Sequence, residues 1–205
     1  MTSRHRTLRR ALAALAVSAA ALAQGGTAGA QGVTNLTYRE IKLGVLAHDV
    51  HFLGGKESGA DINPELIFAS PVSDEWAATV PAALRWLVQP RPTIGGTINT
   101  VGDTDQAYIG GTWTWQFARD LFRPGDGLSA GIFFGPGFND GKTVSHSSDR
   151  KSLGSHVLFR EAADIGYRID AVYTVSLYID HISNAGFDRY NQSINDVGLR
   201  FGFRF

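Results

Sequence analysis

Residues 194–205 read Ile-Asn-Asp-Val-Gly-Leu-Arg-Phe-Gly-Phe-Arg-Phe, and the alternation in this stretch decides the fold. Successive side chains of a β-strand point to opposite faces of the sheet. One face here carries five apolar residues, whereas the other carries Asp196, Arg200 and Arg204 with glycines between them. An aromatic and aliphatic outer face with a polar, salt-bridged interior is typical of a small barrel surrounded by lipid.

The same two-residue period occurs along the rest of the chain. In residues 109–117, Trp113 and Trp115 share one face, where we expect them to belong to an aromatic girdle. We predict eight strands, at residues 41–48, 62–69, 84–98, 106–118, 127–138, 154–168, 172–183 and 194–205. Eight antiparallel strands make the smallest usual transmembrane outer-membrane β-barrel, which is an all-β fold. A soluble exported sandwich with its apolar face inward could produce the same alternation.

Two local features refine this prediction. Pro90 and Pro92 predict an irregular stretch in the third strand, because proline cannot donate a hydrogen bond to a neighbouring strand. Phe205, at the end of the chain, resembles the terminal aromatic residue of bacterial outer-membrane barrels.

Residues 1–30 have the organisation of an export signal. Four arginines between Arg4 and Arg10 precede an alanine-rich apolar run, and Ala28-Gly-Ala30 suits cleavage. We therefore expect residues 31–205 to form a single barrel domain in the bacterial outer membrane. Removal of the signal leaves 15 Lys and Arg against 19 Asp and Glu, a net charge of about −4 that gives no indication of nucleic-acid binding. The absence of cysteine excludes disulfides and thiol chemistry.

His181 and Ser183 are the residues that suggest chemistry, in the stretch Asp180-His-Ile-Ser-Asn-Ala-Gly186. Two positions apart on a strand, they point the same way, and their parity places them on the lipid-facing side near the membrane surface. A base beside a hydroxyl predicts an ester hydrolase that attacks an acyl ester in the bilayer. The alternative is that both are polar residues at the rim of the barrel, because the spacing His-x-Ser is weak by itself.

Several longer motifs accompany this pair. They are Leu158-Phe-Arg-Glu161, Asp164-Ile-Gly-Tyr167, His181-x-Ser-Asn-Ala185, Asn191 and Val197-Gly-x-Arg-x-Gly202. Together they resemble the lipid A 3-O-deacylase family, also named acyloxyacyl hydrolases. The resemblance implies an eight-stranded outer-membrane barrel that removes the acyl chain ester-linked at the 3-position of lipid A. It also implies a mechanism that uses Ser, His and an acid, with no metal or other cofactor. The implied partners are lipopolysaccharide and outer-membrane lipid, and two barrels could also pair as a homodimer.

The resemblance assigns roles to individual residues. It makes Ser183 the nucleophile and His181 the base, and it places Asn184, Gly186 and Asn191 at oxyanion-stabilising and loop-shaping positions. The catalytic Glu of the family lies twelve residues after the Ser, where this chain has Asn195. An amide can accept a hydrogen bond from an imidazole, but it cannot balance the charge of an imidazolium.

Two nearby carboxylates could replace the missing acid. The parity of Asp196 sends it into the barrel, where we expect an ion pair with Arg200 and Arg204. Glu161 has outward parity, and a tight turn at residues 169–171 would bring it within one diagonal of His181. We expect Glu161 to orient His181, with an ordinary rim carboxylate as the alternative.

Two functions therefore remain open from the sequence. One is an outer-membrane esterase acting on lipid A, and the other is a catalytically silent barrel of the same lineage with a structural or surface-interaction role. We interpret His48, His51, His146 and His156 as loop histidines, because no carboxylate-rich ligand spacing accompanies them, and we expect no metal site.

Overall fold

The structure is a computed structural model that describes residues 39–51 and 54–205. These residues form a closed barrel of eight antiparallel strands, in which each strand pairs with the next and the last pairs with the first. The strands are β1 (Glu40–Ala47), β2 (Ala60–Ile67), β3 (Arg91–Asn99), β4 (Gln106–Arg119), β5 (Gly127–Asn139), β6 (Val157–Arg168), β7 (Tyr173–Ser183) and β8 (Ile194–Arg204). The predicted barrel is thus confirmed and the sandwich alternative is wrong. The predicted export signal lies outside the described residues.

The start of the third strand differs from the prediction. Residues 84–90 do not belong to β3, because helix α1 (Asp74–Ala78) and a 3-10 helix (Ala82–Leu84) precede it and the strand begins only at Arg91. The hydroxyl of Ser73 caps α1 by accepting a hydrogen bond from the Trp76 N–H at 3.2 Å. Within β3, Pro92 pairs through its carbonyl, which accepts from the Phe68 N–H at 2.8 Å. None of the helices in the described ranges is long and apolar enough to cross a membrane.

The sixth strand also begins later than predicted, at Val157 rather than at residue 154. Gly154 has a φ of +76°, which is outside the conformation of an extended strand. Its N–H donates to the Thr143 carbonyl at 2.9 Å, so this residue belongs to the preceding loop.

The outer wall of the barrel is apolar along every strand that carries the alternation. Leu177 and Leu199, which are opposite each other on β7 and β8, are 58% and 61% exposed. The intervening residues Ser176 and Arg200 are buried in the barrel. A wall of this composition would be unstable in water and suits contact with lipid acyl chains.

Buried ion pairs fill the interior. Three of them are Lys42 with Asp164, Arg160 with Asp180 and Arg200 with Glu65. The guanidinium groups of Arg160 and Arg200 lie 4.0 and 4.1 Å from the ring centroids of Tyr108 and Tyr178. A Cβ at Gly44 would come within 2.8 Å of Arg200 Cγ, so glycine leaves room for the arginine. This packing explains why arginine and glycine share the inner face.

The interior position of Asp196 agrees with its parity, but the partners expected for it were wrong. Arg200 and Arg204 instead pair with glutamates of other strands. Residues four positions apart in one strand are about 13 Å apart, too far for an ion pair even on the same face. Asp196 Oδ1 lies 3.3 Å from Nδ1 of His48.

The two tryptophans of β4 lie on the outer wall and contact the segment that follows the 3-10 helix. The ring of Trp86 packs against that of Trp115, with centroids 5.4 Å apart. Trp113 Nε1 donates to the Leu87 carbonyl at 3.1 Å. The connection between β2 and β3 is therefore held against the outside of the barrel.

Candidate active site

The candidate site lies where β7 leaves the barrel wall. His181 and Ser183 are the last two outward-facing residues of β7, and both side chains are half-buried. Ile182 between them points inward and is 1% exposed. The alternation of the strand thus presents the imidazole and the hydroxyl on one side of the wall, next to the loop end.

His181 has a candidate partner on each neighbouring strand. Glu161 of β6 and Asn195 of β8 are both directly opposite it in the two registers. The imidazole Nδ1 lies 2.7 Å from Asn195 Oδ1, at hydrogen-bond distance. Because an amide oxygen only accepts, this contact places the proton on Nδ1 and leaves Nε2 with a lone pair, as a general base requires.

The structure thus places Glu161 closer to the predicted site than one diagonal. Residues directly opposite each other in an antiparallel pair have Cβ atoms about 4.5–5.5 Å apart. The Glu161 side chain is exposed, and the hydrogen bond of the imidazole goes to Asn195. His181 therefore lies between an amide that it contacts on β8 and a glutamate directly opposite it on β6.

Ser183 lies beside an aromatic surface. Directly opposite it on β6 is Phe159, whose ring stacks on Phe134 at a centroid distance of 6.3 Å. Phe187, from the loop after β7, lies 6.0 Å from Phe159 on the other side and is 85% exposed. These three rings form an apolar strip across the wall beside the hydroxyl, which we call the phenylalanine strip.

A tight turn follows the candidate nucleophile. Ala185 and Gly186 both have positive φ, +53° and +82°, and the Phe187 N–H donates to the Asn184 carbonyl at 3.0 Å. An alanine in the left-handed region costs about 1–2 kcal/mol, so the surrounding loop must enforce it. The turn brings the Ala185 N–H to 3.4 Å from Ser183 Oγ.

Asn184 and Asn191 enforce that turn. Asn184 Nδ2 donates to the carbonyls of Leu153 and Tyr190 at 3.1 and 2.6 Å, and its Oδ1 accepts from the Gly186 N–H at 2.9 Å. Asn191 Oδ1 accepts from the Asn184 N–H at 2.9 Å. The Asn184 amide is therefore committed to the loop, and its geometry fits a loop-shaping role.

One cluster was missed by the sequence reasoning. His48 follows the end of β1, as expected of a loop histidine, but it is 4% exposed and its ring lies among the carboxylates of Glu57, Asp61 and Asp196. Burial alone would lower the pKa of His48, but hydrogen bonds with the three carboxylates raise it to about 12. His51, His146 and His156 lie outside the strands, as expected, and are exposed. No sequence signal could have found the cluster, because its members come from separate elements.

Comparisons with known proteins agree with this architecture. The family model of lipid A 3-O-deacylase (PagL) matches residues 82–204, which is more than half of the chain. A crystal structure of the outer membrane enzyme PagL is similar, with a TM-score of 0.58 and 17% identity over 80% of this chain and 97% of that one. The N-terminal β-barrel domain of Pseudomonas aeruginosa OprF matches with a TM-score of 0.48 and 8% identity, over 84% of this chain and 100% of that one. A search of curated protein sequences finds no significant match.

Proposed function

Since the chain belongs to the lipid A 3-O-deacylase (PagL) family, we propose that it is an outer-membrane esterase that removes the 3-O-linked acyl chain of lipid A with Ser183 and His181. The observation that carries the proposal concerns His181, which lies two residues before Ser183 on the same outer face. Its Nδ1 is 2.7 Å from Asn195 Oδ1. This arrangement supplies a base, an orienting group and a hydroxyl where the barrel wall meets lipid. Substrate would then reach the site by lateral diffusion in the membrane.

The first chemical step is acylation of Ser183. The hydroxyl oxygen attacks the ester carbonyl while His181 Nε2 takes the hydroxyl proton. The tetrahedral intermediate places negative charge on the former carbonyl oxygen. The Ala185 N–H, which donates to Ser183 Oγ at 3.4 Å, would lie close to that charge, and one such donor contributes about 3 kcal/mol in well-studied enzymes.

The second step releases the products. Collapse of the intermediate breaks the ester bond, and His181 returns its proton to the leaving sugar oxygen. Water, activated by the same imidazole, then hydrolyses the acyl-serine and releases the fatty acid. In both steps His181 passes through a cationic state.

Because the Asn195 amide is uncharged, it cannot balance the imidazolium, and we assign that role to Glu161. Glu161 is directly opposite His181 on β6, the neighbouring strand on the side away from Asn195. From there it would stabilise the imidazolium, while Asn195 holds the ring in the productive tautomer. The two functions that one acid performs in the serine-protease template would be divided between two residues.

The phenylalanine strip supports a lipid substrate. Phe134, Phe159 and Phe187 form an apolar surface beside Ser183, where the chain of an ester bound at the hydroxyl would lie. Apolar area removed from contact with water contributes about 25 cal/mol per Å². The outer wall of the barrel would therefore position the acyl chain of the substrate.

Expression in a bacterial outer membrane followed by mass spectrometry of lipid A tests the proposal. The native chain should remove one hydroxyacyl mass, and Ser183→Ala should leave lipid A unchanged. Both proteins must show the heat-modifiable electrophoretic mobility of a folded barrel. Intact lipid A in cells that contain the folded native barrel would refute the esterase. It would favour the second candidate, a catalytically silent barrel, for which the amide at residue 195 in place of an acid is the supporting observation.

A further inference from the structure

A cluster of cation-binding groups lies inside the barrel, on the opposite side of the wall from His181. His48 follows β1 directly, and its Nδ1 lies 2.9 Å from Asp61 Oδ2 on β2 and 3.3 Å from Asp196 Oδ1 on β8. The side chains of all three are 0% exposed. One nitrogen and two oxygens from the end of β1, from β2 and from β8 thus lie within 4.8 Å of one another.

The contact on the other side of the imidazole fixes which nitrogen would serve as the metal ligand. His48 Nε2 lies 3.2 Å from Glu57 Oε2, and the Glu57 carboxylate also accepts from the N–H groups of Thr104 and Lys151 at 3.1 and 3.0 Å. An ionised carboxylate accepts only, so Nε2 carries a proton. A carboxylate that accepts from the outer nitrogen of a histidine is the usual support of a metal-ligating imidazole.

The local charges also favour a divalent cation at this point, where three carboxylates surround a single imidazole. Asp180 is directly opposite Asp196 on the neighbouring strand, is 1% exposed, and interacts electrostatically with both Asp196 and Asp61. Its Oδ2 pairs with Arg160 at 2.7 Å, but its Oδ1 accepts no hydrogen bond from the described residues. A buried carboxylate oxygen without a partner carries a desolvation cost that a nearby cation would offset.

We propose that His48, Asp61 and Asp196 bind a divalent metal ion of the zinc class in the lumen. Bonds of about 2.0–2.2 Å in tetrahedral geometry separate ligand atoms by about 3.3–3.6 Å, slightly more than the 2.9 and 3.3 Å between Nδ1 and the two oxygens. One imidazole nitrogen with two carboxylate oxygens suits Zn²⁺ better than Ca²⁺ or Mg²⁺, which prefer oxygen alone. Binding displaces the proton of His48 Nδ1 to solvent, so that the imidazole coordinates in its neutral form.

The site would connect strand ends that support the candidate active site. Asp196 Oδ1 accepts from the Asp49 N–H at 2.9 Å, and the Val50 N–H donates to the Asn195 carbonyl at 2.8 Å. Asn195, the residue that contacts His181 outside, is thus adjacent to a ligand inside. The ion would join the ends of β1, β2 and β8 and stabilise the closed barrel.

Calorimetric titration of ZnCl₂ into the full chain, extracted from the outer membrane in detergent and freed of metal with EDTA, tests the proposal. We expect the native chain to bind one Zn²⁺ per barrel, and Asp61→Asn and Asp196→Asn to bind it at least tenfold more weakly. The matched control is His51→Gln, in the exposed part of the same loop as His48, and its affinity for Zn²⁺ should equal that of the native chain. Zn²⁺ should also raise the unfolding temperature of the native barrel but not that of Asp61→Asn. None of these measurements depends on deacylation.

A measurement on the native chain removes any dependence on the folding of variants. Co²⁺ in a four-coordinate site with nitrogen and oxygen ligands should give visible absorption that Zn²⁺ abolishes at one equivalent. Absence of both Zn²⁺ and Co²⁺ binding would mean that only a proton occupies the cluster and would overturn the proposal. Binding that survives in Asp61→Asn, or that is lost in His51→Gln, would assign the metal to surface groups and overturn it equally.

Discussion

Replacing Asn195 with aspartate tests how His181 is activated. The substitution keeps the shape of the side chain and adds a charge beside Nδ1, which lies 2.7 Å from the Asn195 oxygen. At that distance a unit charge stabilises an imidazolium by about 1.5 kcal/mol at a dielectric constant of about 80 and by about 6 kcal/mol at about 20. Because Asn195 is 8% exposed and His181 is half-buried, we expect a value between these limits.

Asn195→Asp should therefore raise kcat at least tenfold, since about 1.4 kcal/mol corresponds to one factor of ten. The upper limit is near the factor of about 10⁴ that the reverse change costs in a serine-protease triad. Purified barrel in mixed micelles with lipid A, assayed by mass spectrometry of the released fatty acid, gives kcat and KM. Asn195→Ala, which removes the contact, should lower kcat. Equal rates for native, Asp and Ala proteins would refute the idea that residue 195 orients the base.

Three further predictions concern the carboxylate across from the base, the phenylalanine strip and the interior. Glu161→Gln should lower kcat about tenfold with little change in KM, by removing the charge that offsets the imidazolium; unchanged deacylation would exclude a role for it. Phe159→Ala should lower kcat/KM about tenfold for long acyl chains but not for short ones. Ile165→Ala, on the same face, should leave kcat/KM unchanged for both. Equal losses in the two variants would mean that the phenylalanine strip does not bind the acyl chain. Arg160→Met, which leaves the buried carboxylate of Asp180 unpaired, should destabilise the barrel by about 3–5 kcal/mol in urea unfolding, and a loss below 1 kcal/mol would contradict the pairing.

The strand pattern was predictable because lipid outside and ion pairs inside impose a strict period of two. Residues such as Leu199 and Arg200 differ so strongly in polarity that neither could exchange faces. The beginning of β3 was not predictable by the same reasoning. Trp86 and Leu87 contact the outside of the wall, and apolar character alone does not distinguish such a segment from a strand.

The candidate site was only partly accessible from the sequence for a similar reason. Parity places His181 and Ser183 on one face, but which residues flank them depends on register, and the turn between β6 and β7 sets Glu161 directly opposite rather than diagonal. The environment of His48 depends on three chain segments that meet only when β8 closes on β1. Spacing along the chain carries no information about such a meeting.

The stacked guanidinium and phenol groups in the lumen have a consequence for the cell. Arg160 of β6 lies over Tyr108 of β4, and Arg200 of β8 lies over Tyr178 of β7, and all four side chains are buried inside the barrel. Hydrated ions and antibiotics would have to displace paired charges to pass through. A cell could therefore hold many copies of this protein in its outer membrane and keep its permeability barrier intact.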